Sequence, residues 1–568
     1  MKQYIFRLSI CLLALAFVSN KAQAQDADTT DTGLFEGAAA SAKMIAAKHD
    51  YNLNNMRGAL TLYREILKVE PDNAAAHYWT ARCHYNLKKY DLAKEYLDKA
   101  VVHEPEVQED VLFFYGEIHH RLAELDDAIN AFGKYLAKRG KVEYDLEVTK
   151  SNLAVFTFLA SLDEKLWNNF SNFLAKKHME ECVYARERMK YPVDITIINM
   201  GREINSRFDE YAPSITADGK QLFFTARRSD TEGGEIDEHG DYKFYEDIYT
   251  SKWNDKTGEW ESSYGVDGFV NTPMYDAVLS VNPQGNQMFV YKNNVNNAGD
   301  IFVSTLDVHQ DEWRAPEKLP RPINTTYFEG SCSITSDGDF LYFISERQGG
   351  LGQGDIYVSE KKSNGDWGSP KSLGDVINTE MDEKFVFIHP NGKTIYFSSD
   401  GHQTMGSYDI FKSEFVNGQW SIPINLGFPI NTVNEESTFS LTKDNQKLLI
   451  AAEYDDSNGE RDIYEIDVSR YQLISQGYDK SGYGTLICNI TDSDNKPIKG
   501  AEIRILVLGS DKPLVIKKTD KLGMVRVNLP GNTSYTVEVE AKKEVKTESL
   551  NMQLKNKGET VEKIAIQF

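Results

Sequence analysis

The stretch Glu203-Ile-Asn-Ser-Arg-Phe-Asp-Glu-Tyr-Ala-Pro-Ser-Ile-Thr-Ala-Asp-Gly-Lys-Gln-Leu-Phe-Phe-Thr-Ala-Arg-Arg228 decides the fold, because its outline returns four more times. Its Asn205 recurs as Asn271, Asn324, Asn378 and Asn431, each in Ile-Asn-Ser, Val-Asn-Thr or Ile-Asn-Thr. Its turn, Asp218-Gly219, recurs as Gln284-Gly285, Asp337-Gly338, Asn391-Gly392 and Asp444-Asn445, each leading into an apolar strand such as Leu222-Phe223-Phe224 or Ile395-Tyr396-Phe397. After each strand comes Asp-Ile-Tyr or Asp-Ile-Phe, at Asp247, Asp300, Asp355, Asp409 and Asp462, spaced by 53, 55, 54 and 53 residues. Several short strands in a unit that repeats at about 50 residues are the pattern of a propeller blade. The reading is five blades, with six as the alternative.

Working outward, Trp260, Trp313, Trp367 and Trp420 open the outer strand of four blades, and the last blade lacks one. Residues 199–206 align with residues 425–432, which lead into the fifth unit. The segment from about Asp194 is therefore expected to supply the missing outer strand. Pairing the first strand with the last blade removes the open edges of an unclosed sheet.

Residues 1–24 read as a signal peptide: Lys2 and Arg7, an apolar core from Ile10 to Val18, then Ala22-Gln23-Ala24. Cys11 lies inside that core without a small residue before it, so it is not a lipoprotein site. No later run reaches the roughly 20 apolar residues of a spanning helix. The mature chain is expected outside the cytoplasm, in the periplasm or associated with the outer membrane. Loss of Lys2, Arg7 and Lys21 takes the formal charge from -23 to -26. Such acidity excludes nucleic acid as the natural partner. Cys83, Cys182, Cys332 and Cys488 fall in three segments without Cys-x-x-Cys spacing; Cys83 and Cys182 alone share a domain in which they could pair, and the reading is four buried single thiols with no zinc signature.

Residues 25–37 read as a flexible linker and residues 38–190 as helical, with a period of 34. Ala59, Tyr63 and Pro71 recur as Ala93, Leu97 and Pro105, and a third copy follows at Gly116, Ala128 and Phe132. Small residues allow paired helices to approach and the prolines end the second helices. This pattern resembles the tetratricopeptide repeat over residues 40–142. Two further helices, near 144–163 and 165–189, are expected to cap the last apolar face. The resemblance implies a groove for a protein segment, at Lys48, Tyr51, Tyr78, Arg82, Tyr85, Phe113, Glu117 and His120. His119 and His120 point to different sides of a helix, which keeps them from sharing a ligand.

The propeller is assigned to residues 191–470, with an acidic loop at 229–246 that lacks the order of a calcium loop. Residues 471–484 read as a second linker and residues 485–568 as short strands at Thr485–Ile490, Glu502–Leu508, Val525–Leu529 and Tyr535–Val539. This last segment resembles the carboxypeptidase regulatory-like, transthyretin-like β-sandwich. The string from Glu203 to Arg228 looks like the TolB-type, WD40-like propeller repeat. The fold class is thus multidomain, an α-helical solenoid followed by an all-β propeller and sandwich.

The whole order is similar to the PorE-type envelope proteins of Bacteroidetes. That resemblance implies a scaffold of the cell envelope tied to type IX secretion and gliding. In that family a C-terminal OmpA-like domain holds peptidoglycan; this sequence stops at Phe568 without one, so peptidoglycan contact is not carried over.

The sequence reads as a non-enzyme. A catalytic residue is unique, whereas each prominent Asp here recurs once per blade, which blade geometry explains. The alternatives are an exported glycan- or peptide-binding propeller and, least supported, a glycosidase using paired carboxylates. No cofactor is indicated except a cation at the propeller mouth. Five residues beyond the repeat Asn stands an acid in every unit: Glu210, Asp276, Glu329, Glu383 and Glu436. The expectation is a ring of like charges at one end of the channel that receives a metal ion or a basic segment; the alternative is structural, each carboxylate accepting backbone amides of its own turn or the next blade, which also explains the fivefold repetition.

Overall fold

The computed structural model describes residues 32–139, 164–237, 242–293, 299–454, 456–475, 483–508, 515–530, 533–553 and 560–568. The signal peptide, the helix expected near 144–163 and most of the second linker lie outside these residues. The chain divides into two compact units between Val107 and Gln108.

Among the described residues the first unit holds four helices: Thr32–Asn52, Met56–Val69, Ala74–Asn86 and Tyr90–His103. Asn55 and Asn73 start the second and third, each side chain accepting a backbone N–H three residues on. Ala59, Tyr63, Ala93 and Leu97 are buried, as their 34-residue recurrence predicts. Helix begins at Thr32, inside the stretch read as a linker, which holds no proline to stop it and runs directly into the alanines from Ala38 onward.

The second unit opens with helices Val111–Arg121, Leu125–Arg139 and Glu164–Arg188. A Cβ on Gly116 would stand 2.5 Å from the Phe132 ring, so only glycine lets these two helices meet so closely. Phe113, Phe132, Ala175 and Cys182 form one cluster with Met405 and Val433 of the β region. The helices after Val107 therefore share a core with the sheets, which is why the break falls inside the stretch read as one helical domain.

The β region holds five sheets of antiparallel neighbours. The first runs through Glu210–Ile215, Gln221–Ala226, Asp247–Asn254 and Glu259–Trp260. The second, third and fourth repeat the plan from Tyr275–Val281, Glu329–Ile334 and Glu383–Ile388 outward. The fifth takes Thr438–Leu441, Lys447–Ala452 and Asp462–Asp467, and its outer strand is Thr196–Asn199, from the start of the region. Thr196 faces Asp467 and Asn199 faces Tyr464, as the alignment of residues 199–206 with 425–432 predicts.

Inner strands of successive sheets are stitched by hydroxyls. Thr225 Oγ1 accepts the Val278 N–H at 3.0 Å, Ser331 Oγ that of Val386 at 3.2 Å, and Thr438 Oγ1 that of Ala212 at 3.0 Å. The turns between the first two strands carry φ near +70° at Gly219, Gly285, Gly338 and Gly392, with Asn445 at 59° in the fifth. That left-handed conformation is why the repeat keeps Gly or Asn there.

The C-terminal segment has a three-stranded and a four-stranded sheet. Leu486, Cys488, Ile503, Val525, Val537 and Met552 from both sheets bury one core. Strands Val515–Lys518, Glu544–Met552 and Thr560–Gln567 add to the four read from sequence. Glu544–Met552 shows seven exposed positions out of nine, so it carried no apolar alternation to be read. All four described cysteines are buried and unpaired. Among the described residues no helix is long and apolar enough to cross a membrane.

Candidate functional site

The repeated polar residues form one device at each sheet junction. Each repeat Asn takes the Ile after the repeat Asp in both directions. Asn271 Oδ1 accepts the Ile248 N–H at 2.8 Å while its Nδ2 donates to the Ile248 carbonyl at 3.0 Å. Asn324 does the same to Ile301, Asn378 to Ile356, Asn431 to Ile410 and Asn205 to Ile463. A few residues on, the acid's backbone N–H donates to the carbonyl just before that Asp. Asp276 reaches Glu246, Glu383 reaches Gly354, and Glu210 reaches Arg461, at 3.0, 2.9 and 3.0 Å.

The acid side chains complete the device. Glu210, Asp276, Glu329, Glu383 and Glu436 are all fully buried, not ranged around an open mouth. Each accepts both the backbone N–H and the hydroxyl of the Ser or Thr after the repeat Asn, at 2.5–3.0 Å. The expected open ring is thus corrected in favour of the structural alternative, in which each carboxylate accepts the backbone amide of its own turn. The inner strands begin at or beside these acids, so their side chains turn back under the preceding loop instead of into the channel.

Their environments differ. Arg228 Nε donates to Glu210 at 2.8 Å and Lys292 Nζ to Asp276 at 2.6 Å. Burial still raises both carboxyls above their ordinary values. In the fourth sheet Ser399 Oγ stands in for a base beside Glu383, and burial pushes Glu383 up to about 8. Glu436 is likewise pushed up to about 8, by burial and by Asp409.

The residues expected to line the helical groove separate into two groups. In the first unit, exposed Lys48 sits 5.0 Å over the Trp79 ring, and Tyr51 meets Trp79 edge-on at 5.1 Å. Tyr78 is only 2 % exposed, packs edge-on against Trp79, and accepts the Arg82 Nε–H at 2.9 Å. Tyr85 pairs with Tyr90. Tyr78 is therefore core, and Trp79, absent from the sequence reading, is the centre of the patch.

In the second unit, Phe113 is buried against Phe132 and Tyr135. Glu117 is half-buried on the same helix. His120 is 1 % exposed and donates from Nε2 to the Met405 carbonyl at 2.9 Å, so it is a joint to the sheets, not a groove residue. The reason is the shared core just described: the face read as concave lining is covered by the loop carrying Met405.

Around that joint the helices and loops gather charge. Arg121 Nη1 donates to the Val433 carbonyl at 2.5 Å. Glu181, 4 % exposed, receives His178 Nδ1 at 2.6 Å, the Lys177 ammonium and the Thr404 hydroxyl. Burial alone would raise the Glu181 carboxyl, but Lys177 and His178 hold it well below its ordinary value. Burial pushes His120 down to about 3 and Asp400 up to about 6. Glu181, Lys177 and Asp400 share the wall of a cavity of 720 Å³ with His402, Ile422 and Ile516. No signal in the sequence pairs residues 120 and 181 with residue 405.

The family described as Anaphase-promoting complex, cyclosome, subunit 3 matches residues 52–135, so the N-terminal helices carry a tetratricopeptide-like repeat. No curated protein matches. TolB from Acinetobacter baumannii is 15 % identical over 53 % of this chain and 69 % of its own, with a TM-score of 0.29. The putative TolB from Agrobacterium tumefaciens is 13 % identical over 63 % and 90 %, also at 0.29. The α-L-arabinofuranosidase PaAbf62A from Podospora anserina is 14 % identical over 47 % and 92 %, again at 0.29. The β region is similar to TolB- and WD40-like propellers.

Proposed function

We propose that this chain is a non-enzymatic protein-interaction scaffold of the bacterial cell envelope, associated with type IX secretion and gliding. In this reading the five sheets are the five blades of a closed propeller, and the C-terminal sheets are a transthyretin-like accessory sandwich. The export features of residues 1–24 support the location, and the PorE-type order of segments supports the apparatus. One observation carries the scaffold reading: the Asn and the acid that recur in every unit are spent on holding the neighbouring sheet. A glycosidase would draw on such carboxylates, but these are buried under their own turns. The first unit offers the partner surface, with Lys48, Tyr51, Trp79 and Tyr85 presenting a cation beside aromatic faces.

The test is recovery of partners from envelope extracts by the tagged exported chain, with Lys48→Ala/Tyr85→Ala as the matched variant. The expected result is a defined set of envelope proteins that falls about tenfold with the variant, a loss of 1.4 kcal/mol. Equal recovery by both would remove the groove. Deletion of the gene that leaves surface export and gliding intact would remove the secretion role.

A further inference from the structure

The joint between the helices and the sheets contains a donor set that the scaffold reading does not use. His120 Nε2 faces a carbonyl, which only accepts, so the ring proton is on Nε2 and Nδ1 presents a bare lone pair. That lone pair looks at Glu181 Oε2 across 3.9 Å. The gap is too long for a hydrogen bond, and two acceptors facing each other repel unless a donor or a cation stands between them. The same Oε2 lies 2.6 Å from His178 Nδ1. His178 and Glu181 stand three apart on helix Glu164–Arg188, one face of which meets His120 on helix Val111–Arg121. One donor atom from each of the three lies within 4.8 Å of the others.

We propose that His120, His178 and Glu181 form a binding site for a divalent transition-metal ion of the zinc class. Two imidazoles and one carboxylate are the ligand set of three-ligand zinc sites, which leave a fourth position for water. Both supports that such ligands use are present. The His120 ring is fixed by its Nε2–H on the Met405 carbonyl, and Glu181 is held by Lys177 and Thr404 at its other oxygen. Other charges acting on the site are Lys177, Arg121, Asp400 and Asp409, and Lys177 interacts with both Glu181 and Asp400. Glu181 also lines the 720 Å³ cavity, which gives an ion a way in.

Binding replaces the His178–Glu181 hydrogen bond, so His178 surrenders its Nδ1 proton to Nε2 or to solvent. The ion then ties two helices to each other, and through His120 to the loop at Met405. A second group, His119 with Glu124 and Asp127, lies toward solvent and serves as the internal control.

The experiment uses the full exported chain, stripped with EDTA and titrated with zinc chloride, with metal content measured after gel filtration. The expected result is one retained zinc per chain and a rise in Tm on binding. Glu181→Gln and His178→Ala should weaken retention at least about tenfold with an unchanged metal-free circular dichroism spectrum, while His119→Ala keeps the metal. Wild type that retains no zinc, or variants that retain it as wild type does, would overturn the site. Should a variant fail to fold, cobalt decides in wild type alone. A d–d spectrum of nitrogen and oxygen ligation saturating at one equivalent supports the site, and its absence overturns it.

Discussion

Asn205 Oδ1 accepts the Ile463 N–H at 2.8 Å and Asn205 Nδ2 donates to the Ile463 carbonyl at 2.9 Å, although 258 residues separate them. This is the bond pair that Asn271, Asn324, Asn378 and Asn431 make with neighbours only 21–23 residues away. The junction between the last sheet and the first is therefore chemically the same as the others. Asn205→Ala strands the buried Ile463 N–H, while the Ile463 carbonyl keeps the Met200 N–H at 3.2 Å, and we expect a loss of about 1–3 kcal/mol in urea unfolding. Asn378→Ala should cost about the same. A loss below about 0.5 kcal/mol for Asn205→Ala would show that the closing junction is not held this way.

The same junction carries an ion pair. Arg461 meets Asp209 through two parallel bonds, Nε to Oδ1 at 2.8 Å and Nη2 to Oδ2 at 2.7 Å, and Asp209 is buried. Arg461→Ala removes both guanidinium bonds to that carboxylate and leaves it the more distant Lys243 Nζ at 3.8 Å, with an expected cost of about 3 kcal/mol. Arg461→Met/Asp209→Leu should recover most of it, because the cost lies in the stranded charge. Calorimetric melting of the three proteins checks this, and a double variant as unstable as the single one would contradict it.

Glu383 predicts a pH dependence of definite sign. Folded, it keeps its proton up to about 8; unfolded, it releases it near the ordinary 4.5. Between those values the folded chain binds the extra proton, so this stabilisation is complete below 4.5 and is lost as pH rises through 8. Glu383→Gln cannot ionise and loses the slope. The Tm of Glu383→Gln minus that of wild type should grow more positive from pH 5 to pH 8.5. A difference that stays flat would place an ionised carboxylate at this position.

Tyr78 and Lys48 should part company on mutation. Tyr78 is buried and holds Arg82, so Tyr78→Ala is expected to cost about 3–4 kcal/mol of stability in chemical denaturation. Lys48 is exposed over Trp79, so Lys48→Ala should stay within about 0.5 kcal/mol while lowering partner recovery. A reversal of the two stabilities would mean that the aromatic patch is built the other way round.

By itself the sequence determined the elements whose signal is local and repeated. The 53–55-residue spacing of Asp-Ile-Tyr, the Gly or Asn of each turn, and the alanines at a 34-residue period each specify a strand, a turn or a helix pair from neighbours along the chain. Even the pairing of Thr196–Asn199 with the last sheet was legible, because residues 199–206 copy residues 425–432. Whether an acid is solvated or buried was not. Glu210 to Glu436 recur equally well as a charged ring or as struts, and only the direction in which each side chain turns separates the two. The polar strand Glu544–Met552 gave no alternation because both of its faces are exposed from Glu544 to Ser549, and of the nine residues Leu550 and Met552 alone are buried. Only the tertiary structure could bring His120 beside Met405, 285 residues away, and beside His178 and Glu181 on another helix. Contacts made once, between segments that share no pattern, leave no periodic trace in the chain; packing of the helices against the sheets decides them.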